Sequence, residues 1–387
     1  VKALVVGGGI AGLGTALALA GDGWDVEVLE KAPVLRAGGY MMNILGPGFT
    51  AAETLGLVPG LQTKSLGSFA THLVDREGRT RVTMPASFAE GARGTRSLSL
   101  FRGDLEESLY EAASQLVDIR FGTGVTAVES STDGAVATLT DGSTKSVDLF
   151  VGADGLDSTV RALAFGDGYR VDRPYVLAAC KLPASPSSVP VDSATTFIDL
   201  GRTMGIMNLG DAGACAFFAY RCEDPDAELG AGVVASLQQH FSDVTGGGAP
   251  EVLGQIAGSP STAYFDRVSQ IVMPRWSTGT TVLVGDAAWC TSLFAGYGGS
   301  LALHGAQALR ETLAGSSSPS EIPARLETWE RDLRPPVEKR QKEASQGERY
   351  FSPTSRTAIR MNELTVRAML LPGVRGLVQR AIQRKKF

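Results

Sequence analysis

Residues 1–21 read VKALVVGGGIAGLGTALALAG, and residues 24–30 read WDVEVLE. The short apolar run at 3–6 suits a buried strand, and the small apolar residues of 10–21 suit a helix packed close to it. Residues 24–30 alternate as a second strand, so the chain opens on a β-α-β unit, which favours a parallel α/β sheet. Between strand and helix, Gly7-Gly8-Gly9-Ile10-Ala11-Gly12 fits the GxGxxG pattern. Gly7 permits the tight turn, Gly9 lets backbone approach a pyrophosphate, and Gly12 lets the helix lie against the sheet. The helix N-terminus then offers unpaired N–H groups and a positive dipole end to phosphate. Glu30 closes the second strand, placed to accept hydrogen bonds from a ribose. Six residues alone are weak, but strand, helix and acid in this register predict a dinucleotide site.

Outward from this unit the chain is long, at 387 residues, and a single core stops growing near about 250–300 residues. The expectation is therefore more than one domain. A net charge of −5 argues against nucleic acid as a partner. Cys180, Cys215, Cys222 and Cys290 form no CxxC pair and no disulfide framework, which fits reduced thiols in the cytoplasm. With three histidines and no HExxH, no metal site is expected. The N-terminal run lacks the basic leader of a signal peptide, and no apolar run reaches the roughly 18 residues a membrane span needs.

Residues 104–117 place Leu105, Leu109, Ala112, Ala113 and Leu116 on one helical face. Residues 135–151 carry two alternating runs around Asp141-Gly142, the signal of a type I′ hairpin. The second run ends at Asp154-Gly155, where DGLDSTVR reads as a strand-to-helix turn with Asp157 and Ser158 as caps and Arg161 behind. From about 170 to 275, alternating stretches such as ATTFIDLG and GACAFFAYR predict antiparallel strands. The α/β pattern resumes near 280: Asp286 ends a strand, and a glycine-rich loop at 296–299 opens another helix, a second anion cradle. Arg102, at a helix start where its charge is unfavourable, fits better beside a phosphate or cofactor edge.

The fold class predicted is α/β: a Rossmann-like nucleotide domain with a parallel sheet, an inserted β-rich substrate domain, and C-terminal helices. The nucleotide domain spans 1–170 with 276–315, part of 38–100 joining the substrate-side sheet. Residues 171–275 form the β-rich domain and 316–387 the C-terminal helices.

Four stretches in order, GGGIAG with Glu30, RGDL at 102–105, VGADGLDSTVR at 151–161 and VGDAAWCTSLFAGYGG at 284–299, resemble the group A flavoprotein monooxygenases, which share the p-hydroxybenzoate hydroxylase-like fold. FAGYGG and GGYMMNILGPGF (38–49) look most like tetracycline-modifying and actinomycete natural-product members. The resemblance implies FAD as cofactor and NADPH or NADH as electron donor. It implies that Gly7, Gly9, Ile10, Ala11 and Gly12 hold the pyrophosphate, Glu30 the adenosine ribose, and Lys31 the neighbourhood of the adenine. Arg102 would reach the ribityl-phosphate region, Asp154 and Arg161 would link FAD with NAD(P)H, and Asp286 would bind the ribityl or pyrophosphate part. Backbone N–H groups of Gly298, Gly299 and Ser300 would face the flavin's pyrimidine edge, and Arg36 would contact a pyridine-nucleotide phosphate. Two departures stand out: Trp289 and Leu293 replace the family's usual His and Pro.

The implied reaction is insertion of one oxygen atom from O2, through a flavin hydroperoxide, into a bulky aromatic or polyketide-like natural product. The alternative is a redox-neutral cyclase or isomerase on the same fold. The cofactor carries the chemistry, so no catalytic acid or base is assigned. For the substrate pocket, Phe217 with Ala219, or Phe218 with Tyr220, share a strand face in ACAFFAYR; the second pair, with Met207, Leu293 and Phe294, is the set expected to line it. Residues 356–387 hold eight Lys/Arg and one Glu, read as a terminal helix with a solvated basic face rather than a membrane contact. A monomer or dimer is expected.

Overall fold

The computed structural model describes residues 1–35, 39–316 and 318–384. A six-stranded sheet is built around the opening unit, in the order Ser277–Thr278, Thr281–Leu283, Leu149–Gly152, Lys2–Val6, Asp25–Glu30, Asp118–Phe121. All neighbours are parallel except the short Ser277–Thr278 edge. The central strands read as unbroken apolar runs because helices cover both faces. Leu4, Val5, Val28, Val151 and Val282 are fully buried there.

The carboxyl ends of four adjacent strands carry three of the four motif stretches, while RGDL follows Ser97–Phe101 in a separate two-stranded sheet. Gly7 follows Lys2–Val6, Glu30 ends Asp25–Glu30, Asp154 follows Leu149–Gly152, and Asp286 follows Thr281–Leu283. Open α/β sheets bind ligands outside this edge. The fold class therefore agrees with the sequence expectation, including its mixed α/β character and parallel sheet.

A second sheet has seven strands, in the order Tyr264–Ile271, Arg170–Leu182, Ala214–Arg221, Arg202–Asn208, Ser193–Asp199, Ala70–Val74, Thr80–Met84. It is antiparallel except where Ser193–Asp199 meets Ala70–Val74. One face packs on helices Val233–Phe241 and Ala249–Gly258 to form a separate core that includes Phe218, Leu237, Phe241 and Val252. The other face looks toward the first sheet. The 30-residue helix Ile322–Phe351 runs between the two cores. Leu326, Trp329 and Leu333 seat it on the first, and Phe351 reaches the second sheet.

Several local expectations need correction. The helix expected over 104–117 spans Arg102–Ala113, and Leu116 lies beyond it, 58% exposed. The turn at Asp141-Gly142 is not type I′, which needs positive φ at both residues, because only Gly142 has it. Asp141 instead accepts from the N–H and hydroxyl of Ser143. The run after that turn divides at Asp148: Thr144–Val147 pairs in a small three-stranded sheet, whereas Leu149–Gly152 enters the parallel one. Residues 170–275 also contain helices, beginning with Pro225–Ala231. Asp224 caps it by accepting from the N–H groups of Asp226 and Ala227.

Candidate active site

The opening helix, Ile10–Ala20, is capped by Gly9 with no side-chain hydrogen bond, so its first turn is left for a ligand. Gly7 sits at φ +116°, and a Cβ there would stand 2.3 Å from the carbonyl oxygen of Ala153. A Cβ at Gly12 would stand 1.8 Å from the Gly7 carbonyl oxygen. Only glycine permits either approach. Glu30 is held rigidly, with Oε2 accepting from Gly8 N–H at 2.7 Å and Oε1 from Ala32 N–H at 2.8 Å. A cavity of about 430 Å³ opens in front of these groups, lined also by Lys31, Arg102, Glu106 and Asp154. That size suits a nucleotide portion.

Arg102 begins its helix and donates to Glu106 Oε1 at 2.6 Å, while its backbone N–H donates to Tyr40 O at 2.9 Å. Asp154 accepts from the Ser158 hydroxyl and from Val160 N–H, and Ser158 in turn caps Thr159–Phe165. Asp157, the other expected cap, pairs with Arg170 instead. Arg161 is buried and donates to the carbonyls of Ala287 (3.0 Å) and Leu156 (2.7 Å). It thus ties the turn after Asp154 to the segment after Asp286. Its position is that of a brace.

The second half of the cradle closes on the first by small-residue contact. Gly285, at φ +63°, lies so near the opening helix that a Cβ would meet Ala11 Cβ at 2.5 Å. Asp286 is exposed yet closely surrounded by protein atoms, and this crowding raises its pKa against the opposing pulls of the Arg102 charge and of a hydrogen bond with Cys290. A Cβ on Gly298 would lie 3.9 Å from Asp286 Oδ1, so the two motifs face one another. Ser300 is buried, its hydroxyl accepting from Leu45 N–H (3.0 Å) and donating to Asn43 O (3.2 Å). Its side chain therefore anchors the helix Gly298–Leu313, and only backbone N–H groups of that first turn point onward. These features fit FAD: a glycine cradle and helix N-terminus for pyrophosphate, a fixed carboxylate for ribose, and a second set of N–H donors beyond Asp286. Arg36 lies outside the described residues.

Trp289 is a packing residue. It is buried between Trp276, ring centroids 4.7 Å apart, and Trp329, 5.7 Å apart. Leu293 and Phe294 belong to the loop before Gly298. Phe294 meets Tyr175 edge-on at 5.4 Å and stacks on Phe351 at 6.0 Å. Ser292, just ahead, holds φ +83°, a region β-carbon-bearing residues avoid, and its hydroxyl accepts from Phe294 N–H at 3.2 Å.

The expected substrate residues divide. Met207 lies on the sheet face toward the cradle, with Phe101, Ala194 and Cys215 around it. Phe218 and Tyr220 do not. Both turn to the opposite face, where Phe218 meets Phe241 edge-on at 5.1 Å. Tyr220 stacks on His240 at 3.9 Å and donates to Glu228 Oε2 at 2.9 Å. The facing residue is Phe217, which packs with both the Phe294 and the Met207 groups and meets Phe351 edge-on at 6.0 Å. It pairs across the strands with Gly205, whose missing side chain leaves room for its ring. Tyr40 and Tyr264 complete this aromatic wall, 5.7 Å apart. Burial drives both phenol pKa values up, that of Tyr40 to about 12, so both are neutral donors at neutral pH. Strand alternation offered the 217/219 face, but parity alone did not choose it; Tyr40, Tyr264 and Phe351 had no local signal.

Comparison with known proteins gives the same picture. Residues 1–170 match the FAD binding domain family. The chain is 31% identical over 315 residues to an uncharacterized protein of Mycobacterium tuberculosis, covering 79% of this chain and 83% of that one. It is 29% identical over 383 residues to an FAD-dependent monooxygenase of Sarocladium schorii, covering 91% and 88%. The fold superposes on Klebsiella pneumoniae HpxO, solved with FAD and uric acid, with a TM-score of 0.81 at 23% identity over 99% of this chain and 96% of that one. With the cradle's two halves, the inserted sheet and these relatives in agreement, the chain belongs to the FAD-dependent monooxygenases of group A, on the p-hydroxybenzoate hydroxylase-like fold.

Proposed function

We propose that this enzyme takes electrons from NADPH or NADH and inserts one atom of O2 into a bulky, apolar aromatic or polyketide-like natural product. The observation that carries the reading is one loop serving two sides. Leu293 and Phe294 face an aromatic chamber, and three residues beyond Ala295 the same loop becomes the Gly298–Ser300 helix start opposite Asp286. When bound and reduced, FAD supplies the activation of dioxygen.

The protein's own part is to hold and to exclude. Gly7, Gly9, Ile10, Ala11 and Gly12 bind the pyrophosphate through backbone, Glu30 the ribose, and Lys31 flanks the adenine. Arg102, Asp154 and Asp286 take the central polar part, and the N–H groups of Gly298, Gly299 and Ser300 stabilise negative charge at the far edge. Phe217, Phe294, Phe351, Met207 and Leu293 give the substrate side apolar walls, which keep water from an oxygen-transferring centre. The four free thiols support a reducing compartment, the cytoplasm, as the place of work.

The test is to load the protein with FAD, add NADPH or NADH anaerobically, and record flavin bleaching, then admit O2 with candidate aromatic substrates. Bleaching followed by substrate-dependent oxygen uptake is expected. Product formed anaerobically with no flavin reduction would overturn this reading in favour of redox-neutral cyclisation, for which Leu293 in place of the family's Pro is the one local feature.

A further inference from the structure

The last two helices, Arg356–Met369 and Arg375–Arg384, present an apolar face to the outside. Five of the fourteen large apolar side chains exposed among the described residues fall in this stretch alone. They are Met361, Leu364, Leu371, Val374 and Leu377, each 39–61% exposed. The others are spread between positions 1 and 272, where single exposed apolar residues need no explanation. On the first helix the spacing is regular: Met361, Leu364, Ala368 and Leu371 recur at three, four and three residues, which is one side of a helix. That side is not the one that seats it. Val366 is buried, and the helix lies beside strands Thr80–Met84 and Ser193–Asp199. Arg356, Arg360 and Arg367 run along one edge of the stripe, at spacings of four and seven residues. The one acid of these helices, Glu363, is partly buried and already accepts from Arg367 at 2.6 Å. The sequence reading of 356–387 as a solvated basic face is corrected here, because the basic residues border a face that is apolar.

We infer that these helices lie flat on an anionic phospholipid surface, with the apolar stripe among the acyl chains and the arginines at the phosphates. An amphipathic helix with a cationic edge has this chemistry. No helix among the described residues is long and apolar enough to cross a bilayer, so the contact is with one leaflet. Charge selects the occupant. A second copy of this face brings the same arginines and no exposed acid to meet them, whereas lipid phosphates supply the missing negative charge. Ser355 caps the first helix by accepting from Ala358 N–H at 3.1 Å, only a few residues after Phe351, a wall of the aromatic chamber. Docking there brings the chamber to the phase in which an apolar substrate dissolves.

The test is sedimentation of FAD-loaded protein with vesicles of phosphatidylcholine, alone or mixed one to one with phosphatidylglycerol. The mixed vesicles are expected to carry the protein down, and phosphatidylcholine alone at least tenfold less well. Leu364→Gln/Leu377→Gln should weaken binding to the mixed vesicles at least tenfold. Arg356→Gln/Arg360→Gln should do the same while leaving binding to phosphatidylcholine as it was, and raised salt should mimic it. All four side chains are exposed, so flavin content and circular dichroism should stay those of wild type. Flavin bleaching by NADPH or NADH, read without lipid, tests the proposed reaction separately. No binding to the mixed vesicles, equal binding to both kinds, or binding that neither double variant changes would overturn the proposal. So would a dimer in sedimentation velocity that Leu364→Gln/Leu377→Gln dissociates while vesicles stay unbound, which assigns the face to a second copy. Binding to polyglutamate as tight as to the mixed vesicles would equally overturn it, in favour of an acidic protein.

Discussion

Ser292 is the residue where local cost and site geometry meet. Its φ of +83° with ψ of 145° lies in a region where a β-carbon costs about 1–3 kcal/mol, and its hydroxyl bond to Phe294 N–H returns about 0.5–1.5 kcal/mol. Ser292→Ala keeps the strain and loses the bond; Ser292→Gly relieves the strain. The expected order of thermal midpoints is therefore Ser292→Gly at or above wild type, with Ser292→Ala below both. A lower midpoint for the glycine variant than for alanine would show that the loop is not strained. The residue also explains how a loop without the family's Pro keeps its shape. Its backbone is fixed from Ser292 by a side-chain cap rather than at Leu293 by a ring. None of this was legible in the sequence, where Ser292 looks like an ordinary loop serine.

Gly12 is the point at which one element meets another. Adding a methyl group drives the helix Ile10–Ala20 off the Gly7 turn, an overpacking that costs about 1–3 kcal/mol. Gly12→Ala should therefore raise the Kd for FAD roughly tenfold or more by the same arithmetic, read as flavin lost on gel filtration. The helix Gly298–Leu313 gives a pH signature. His304 is partly buried on it, and burial lowers its pKa below 6.5. Above pH 6.5 the imidazole is neutral in both folded and unfolded chains. As pH falls below that value the unfolded chain takes up the proton first, so stability falls. His304→Gln should reduce the drop in urea midpoint between pH 7.5 and 5.5.

Elements were legible where glycine chemistry or long alternation marks them: the opening β-α-β unit, the Ser158 cap, the strands of the inserted sheet. Two kinds of information were not. The facing parity of Ala214–Arg221 depends on which helices cover which side, so Phe217 and Phe218 exchanged roles. The helix Pro225–Ala231 carried a readable start, Asp224 followed by Pro225, inside a stretch whose neighbours alternate as strands.

At the scale of the whole molecule, the helix Ile322–Phe351 ties the nucleotide-binding sheet to the inserted one. Its far end is pinned by Glu348, whose two carboxylate oxygens each accept from Arg173 at 2.9 Å. The Phe351 carbonyl accepts from the Thr203 hydroxyl, and the Pro353 carbonyl from Gly201 N–H at 2.9 Å. Glu348 is nearly buried and Arg173 a third exposed, so breaking the pair should cost about 1–3 kcal/mol, less than for a fully buried pair. Glu348→Gln should lower the denaturant midpoint accordingly and open the chain near 345–355 to protease. An unchanged cleavage pattern would mean that Phe351 is held by its ring contacts alone. This bridge was beyond sequence reading: nothing in residues 322–351 names a partner some 150 residues earlier.

The packing of Trp276, Trp289 and Trp329 has an optical consequence. Three of the chain's four tryptophans share one buried cluster behind the loop that begins at Asp286. Their near-ultraviolet emission overlaps flavin absorption, so a cofactor seated in the cradle acts as a nearby energy acceptor. The protein thus carries its own spectroscopic gauge of occupancy, dim when loaded and bright when emptied, with Trp24 as the lone emitter outside the cluster.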